Sequence, residues 1–361
     1  MKIKELIDAL SQAGLRPFTF CSPDGGSFVV TPHGARILGL FPSANGDNTY
    51  FVNPELPDAA RVQQYLAGEH VLGGDRPWIA PERGLFFRGD RLEDGVTTQR
   101  SIDPGNWIIA EKTATSVRLV NDFAVTFFRI PHSTVRGRVE RSIRAIRSPF
   151  ADFPVLMPAG GGNVAFAGYE IASRFELLES PTDDLYFGLW FLIQLVVPHG
   201  GFLYVPTAGQ TVTTDYYEPT GPDYLRITAS HVRFKLDSIR RHKIGIRKTE
   251  ALGRMAFLSN PFPDGAATLV VRNFLNDPSG HYADVPLHTP SGTQDSIQSY
   301  NHNSGPGGFG EMEFHTPGIN RAMPEPVVTD TNQVWAFRGA RHDLVAIAAK
   351  LLNLPPETFA S

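Results

Sequence analysis

The sequence predicts an all-β fold built as one large domain, a sandwich or barrel of many strands. Three observations lead there. Short apolar runs rich in Phe, Val and Ile recur along the chain, Gly, Pro, Asn and Asp separate them, and helical periodicity is convincing only at the two ends. The alternating strand and helix units of a parallel sheet are missing.

At the amino end Ile3, Leu6, Ile7 and Leu10 share one helical face, and Gly14 reads as the stop. Strands are then expected over Ser27 to Thr31, Ala35 to Phe41, Ser116 to Val120, Ala124 to Ile130, Leu185 to Val197, Phe202 to Val205, Tyr224 to Thr228, Val232 to Leu236, Thr268 to Phe274 and Glu311 to Phe314. A closing helix places Leu344, Val345, Ile347, Ala348, Leu351 and Leu352 on one face and ends at Asn353 and Pro355. The two helices would cover sheet faces or close exposed edges. Pro154 to Gly162 is the best candidate for a boundary, but it is short and flanked by β-like sequence, so residues 1–361 are read as a single domain.

Composition narrows the function. A formal net charge of -4 and a pI near 6.3 argue against a nucleic-acid partner. Cys21 is the only cysteine, which rules out an intrachain disulfide and a multi-cysteine zinc site and fits a cytoplasmic protein. The longest apolar run, Leu185 to Val197, is too short to span a bilayer as a helix, so no membrane partner is expected. The histidines His281, His288, His302 and His315 match no standard zinc spacing, and no metal is expected. Nor is a cofactor: Gly305 to Gly310 has the glycine pattern of a dinucleotide loop, but it contains Pro306 and leads into a strand where a helix amino terminus would be needed. There is no Gly-x-Ser-x-Gly elbow for a serine nucleophile.

The most telling motif is the Glu311 to His315 stretch. Alternate residues of a strand face the same way, so Glu311, Glu313 and His315 form an acid/base row with Met312 and Phe314 behind it; the competing reading is a solvated face of an edge strand. Leu72 to Glu82 is dense in groups that read sugars: Trp78 offers a flat apolar face, Arg76 a planar fork of donors, Asp75 and Glu82 acceptors. A rigid surface turn with a core Trp explains the same residues. The arginines Arg136, Arg138, Arg141, Arg144 and Arg147 read as a solvated face, as do Lys235, Arg240, Arg241, Lys243, Arg247 and Lys248, with Lys243 the member able to reach a pocket. Gln194, on the long apolar strand, and His199, in the turn after it, complete the candidate ligand contacts.

These residues resemble the galactose mutarotase-like superfamily. The resemblance rests on the Val29 to Leu40 strand-turn-strand, on the Gly73 to Glu82 segment, and on Glu311-Met312-Glu313. It implies a β-supersandwich with a saccharide ligand. In aldose 1-epimerases a Glu base takes the anomeric proton while a His acid protonates the ring oxygen. The resemblance matches Glu313 to the base, with Glu311 as competitor. Where epimerases carry histidines this chain reads Gly84 to Arg88 and Leu189 to Gln194, leaving His315 or His199 as substitutes for the acid. Sugar binding without turnover, and glycoside hydrolysis or lyase chemistry by the paired glutamates, are the alternatives.

Overall fold

A computed structural model of the chain describes residues 1–58, 72–151, 164–288, 292–303 and 307–360. The boundary considered at Pro154 to Gly162 lies outside the described residues, as do Gly305 and Pro306 of the glycine-rich stretch. Among the described residues two antiparallel sheets stack on each other. The first has nine strands in the order β1 (Phe18–Cys21), β2 (Ser27–Thr31), β3 (Arg36–Phe41), β4 (Asp75–Ala80), β9 (Gly188–Val196), β18 (Phe309–His315), β17 (Asp295–His302), β14 (His242–Arg247) and β11 (Thr213–Asp215). The second has ten: β12 (Leu225–Ile227), β13 (His231–Leu236), β10 (Gly201–Pro206), β15 (Arg254–Ser259), β16 (Ala266–Asn273), β19 (Val327–Ala340), β8 (Ala165–Glu179), β7 (Thr134–Ala145), β6 (Ser116–Thr126) and β5 (Ile108–Lys112). The expected all-β sandwich with helices at both ends is what the chain adopts.

The core lies between the sheets, where Phe191, Ile193, Met312 and Phe314 of the first meet Ile171, Phe175, Val270 and Phe274 of the second. The helix α1 (Ile3–Gln12) packs Leu6 and Leu10 on Val29, Leu38 and Phe41, covering the outer face of β2 and β3. Past its end Gly14 takes φ +78, a conformation that a side chain would strain. The closing helix, Arg341–Leu352, lays Leu344, Ile347, Ala348 and Leu351 on Leu258, Leu269 and Phe337 of the second sheet, and Asn353 ends it in the left-handed conformation. No helix among the described residues is long and apolar enough to cross a membrane.

Two expectations need correction, and one open alternative is decided. Ser116 to Val120 and Ala124 to Ile130 are one strand, β6, which runs unbroken to Thr126 and then turns. The segment around Arg76 is not a surface turn: it is β4, paired with β9 in the middle of the first sheet. The Arg136 to Arg147 run is mainly β7, whose alternation sends Arg136, Arg138 and Arg144 to solvent but Val135, Val139, Arg141 and Ile143 inward. Arg141 is therefore buried, not solvated.

Candidate functional site

Strand parity builds the site. Across the first sheet Gln194 lies opposite Glu311, which lies opposite Tyr300, itself opposite Lys243; Trp78 lies opposite Trp190, and Trp190 opposite His315. Residues opposite one another share a face. Arg76, Trp78, Trp190, Gln194, Phe309, Glu311, Glu313, His315, Tyr300 and Lys243 therefore all stand on the face turned away from the second sheet. Over it lies a cavity of about 470 Å³, whose wall includes Arg36, Arg76, Trp78, Glu82, Asp103, Trp190, Gln194, Tyr217, Tyr300, Arg241, Lys243 and Glu311.

Asp75 is not part of that wall. As the strand neighbour of Arg76 it must face the other way, and it is buried between the sheets, 2.6 Å from Arg141 and 3.5 Å from Arg272, with the Tyr169 hydroxyl donating to it at 2.8 Å. His199 is also elsewhere: it sits exposed in the turn between β9 and β10, edge-on to Phe262. His315 lies beneath the wall, stacked on Trp190 with ring centroids 5.5 Å apart, and neither ring nitrogen has a hydrogen-bond partner. Burial drives its pKa down to about 4, so the ring is neutral at physiological pH.

A single ammonium organises the floor. Lys243 Nζ donates to Glu82 Oε2 at 3.0 Å, lies 3.4 Å from Glu313 Oε2, and sits 4.6 Å from the centre of the Trp190 ring. Burial would lower its pKa, but the charges of Glu313 and Glu82 outweigh burial and hold it well above the ordinary lysine value. Glu313 has no exposed surface and lies one layer below the cavity; the Trp190 indole donates to it at 2.8 Å. Burial pushes its carboxyl up to about 8, against the pull of Lys243 and with reinforcement from Glu311 and Glu82.

Among the described residues three carboxyls line the cavity: Glu82, Glu311 and Asp103. Glu82 opens the short turn of helix α2 (Glu82–Leu85), where its backbone N–H donates to Asp284 at 2.7 Å and the Tyr217 hydroxyl donates to its side chain at 3.3 Å. Burial raises its pKa although Lys243 opposes the shift, and Asp284 and Glu311 add to it. Glu311 accepts a hydrogen bond from Gln194 at 2.7 Å and lies 3.5 Å from Arg76 Nη2. Arg76 in turn lies 4.4 Å from the centre of the Trp78 ring, whose indole donates to Asp103 at 2.8 Å. Asp103 is paired with Arg36, and although burial alone would raise its pKa, Arg36, Arg76 and the Trp78 indole hold it below the usual carboxylate range.

The structure thus brings Arg76, Trp78, Glu82, Gln194, Lys243 and Glu311 around one cavity, with Glu313 and His315 under its floor. Sequence reasoning missed Arg36, Asp103, Trp190, Tyr217, Arg241 and Tyr300. Trp190 and Tyr300 were within reach, since they share strand parity with Gln194 and Lys243; Arg36, Asp103 and Tyr217 arrive from distant loops and strand ends and left no local signal.

A family model described as a family of unknown function (DUF6786) matches residues 28–359. No curated protein matches the chain in sequence. Among solved structures the fold is similar to galactose mutarotase-like proteins. One from Lactobacillus casei is 8% identical, with a TM-score of 0.48, covering 89% of this chain and 100% of that one. A galactose 1-epimerase from Lactobacillus acidophilus is 10% identical with a TM-score of 0.41, over 90% of this chain and 95% of that one. An aldose epimerase homologue from C. elegans is 10% identical with a TM-score of 0.41, over 90% and 99%.

Proposed function

We propose that this chain, which belongs to the family of unknown function DUF6786, binds a sugar in the cavity and moves protons at its anomeric centre. One observation supports this most: two of the cavity's carboxyls, Glu82 and Glu311, stand in unlike environments, while the third, Asp103, is paired with Arg36. Glu82 is shielded and biased toward its protonated form. Glu311 accepts from an amide and faces a guanidinium. Carboxyls set apart in this way divide into an acid and a base. Arg76 and Gln194 suit the hydroxyls of a pyranose, and the half-buried Trp78 adds apolar surface to the wall.

In this reading Glu311 takes the proton of the anomeric hydroxyl as the bond from the anomeric carbon to the ring oxygen breaks, and Glu82 protonates that oxygen. Ring closure on the opposite face of the carbonyl returns both protons. Glu82 fills the acid role left open by the missing histidines. Glu313, matched to the base by the sequence resemblance, lies below the cavity and holds Lys243 in place instead.

Anomer exchange measured by NMR on a panel of aldoses tests the reading. Exchange accelerated by the wild type and lost in Glu311→Gln supports it. Sugar binding without accelerated exchange would overturn the catalysis and keep the binding site. No binding to any sugar would overturn both.

A further inference from the structure

The cavity wall carries more basic than acidic side chains. Arg36, Arg76, Arg241 and Lys243 stand against Glu82, Asp103 and Glu311. Arg36 is taken up by Asp103, and Lys243 by Glu82 and Glu313. Arg76 is only partly used. Its Nη2 lies near Glu311, but Nε and Nη1 have no partner although the residue is only 5% exposed. Buried guanidinium donors without acceptors are costly, and an acceptor on a ligand would relieve that cost.

Arg241 lines the same cavity. Among the described residues no carboxylate pairs with it; its guanidinium lies over the Tyr217 ring at 5.5 Å, and its Nε is buried without a partner. It also lies beside Tyr300, whose register partner is Glu311, the residue that Arg76 faces. Two arginines of the cavity wall thus keep buried donors without a partner among the described residues: Nε and Nη1 of Arg76, and Nε of Arg241, whose guanidinium also hydrogen-bonds Tyr300. We infer that the sugar taken by this site carries a carboxylate, so that the ligand is a uronic acid bound through Arg76 and Arg241. This inference rests on the sugar reading above and narrows its substrate class.

The choice of anion follows from charge and shape. A planar carboxylate matches the guanidinium fork and answers the one basic side chain in excess. A phosphate dianion would bring a second negative charge within reach of Glu311, Glu82 and Asp103, where like-charge repulsion opposes it.

Calorimetric titration of the purified chain with glucose, galactose, their uronic acids and glucose 6-phosphate tests the inference. The uronic acid should bind at least about tenfold tighter than its neutral parent and tighter than the phosphate, as charge-assisted hydrogen bonds imply. In Arg241→Gln the ratio of uronate to neutral affinity should fall toward one, with an intermediate ratio in Arg241→Lys, which keeps the charge and loses the fork. Neutral sugars bound as tightly as uronic acids, or a phosphate preferred over a carboxylate, would overturn this inference and leave the sugar site standing. Failure of every sugar to bind would overturn the sugar site with it.

Discussion

Lys243 and Glu82, 161 residues apart in sequence, meet at 3.0 Å on the cavity floor. The contact joins β14 to the start of α2 and sits above Glu313, so one ammonium serves two buried carboxyls. Removing it takes the cation from Glu82 at neutral pH and from Glu313 once its carboxyl ionises at about pH 8. Lys243→Met is therefore expected to cost about 3–5 kcal/mol at neutral pH. Urea unfolding should show a smaller loss near pH 5, where protonated carboxyls need no counter-charge.

Glu313 sets a distinct pH dependence. Its folded pKa of about 8 lies above the unfolded value near 4.5, so between those limits the folded state holds more proton than the unfolded state. The stability it supports is complete below about pH 4.5 and declines as pH rises through about 8. Unfolding midpoints of the wild type should fall across that window, and Glu313→Gln should flatten the profile. An unchanged profile in the variant would place the titration elsewhere.

Catalysis should separate the three glutamates. Glu311→Gln and Glu82→Gln are each expected to slow anomer exchange about 10²–10⁴-fold. Glu313→Gln should retain most of the rate while shifting its pH profile through Lys243. A larger loss at Glu313 than at Glu311, measured on folded protein by NMR exchange, would return the base to Glu313.

Asp75 belongs to stability. Replacing it with Ala leaves Arg141 and Arg272, both fully buried, without their carboxylate, at an expected cost of about 3–5 kcal/mol. Ligand affinity, determined under conditions where the variant remains folded, should fall far less than stability does, since the Asp75 side chain faces away from the cavity.

Much of this architecture was legible because the apolar runs of β2, β3, β9, β10 and β16 are bounded by turn residues, and because the parity of Glu311, Glu313 and His315 survives folding. Some strands that escaped notice carry polar residues on a buried face, although β8, β15 and β19, with apolar buried residues, also went unread. In β17 the buried cavity-side series includes Gln298 and Tyr300, and β4 carries Asp75, Arg76 and Pro77, a composition that reads as a turn. With β4 absent from the expected strands, Asp75 could be given no face, since parity has meaning only along a strand. The Lys243 contacts could not be read locally, because they depend on chain segments far apart in sequence. Arg141 deceived for a related reason: a charge on the inward face of a strand is rare unless a partner waits across the sandwich, and only the fold reveals that partner.

Asp75 and Arg76 are adjacent, and β4 sends one charge into the sandwich and the other toward the cavity. A slip of one residue in the pairing of β4 with β9 would exchange them, placing a guanidinium beside Arg141 and Arg272 and a carboxylate beside Glu311. Both exchanges bring like charges together, so the wrong register is penalised twice. The adjacent pair works as a key that admits a single alignment of the strand, and a one-residue insertion or deletion within β4 should be tolerated far less well than substitutions there.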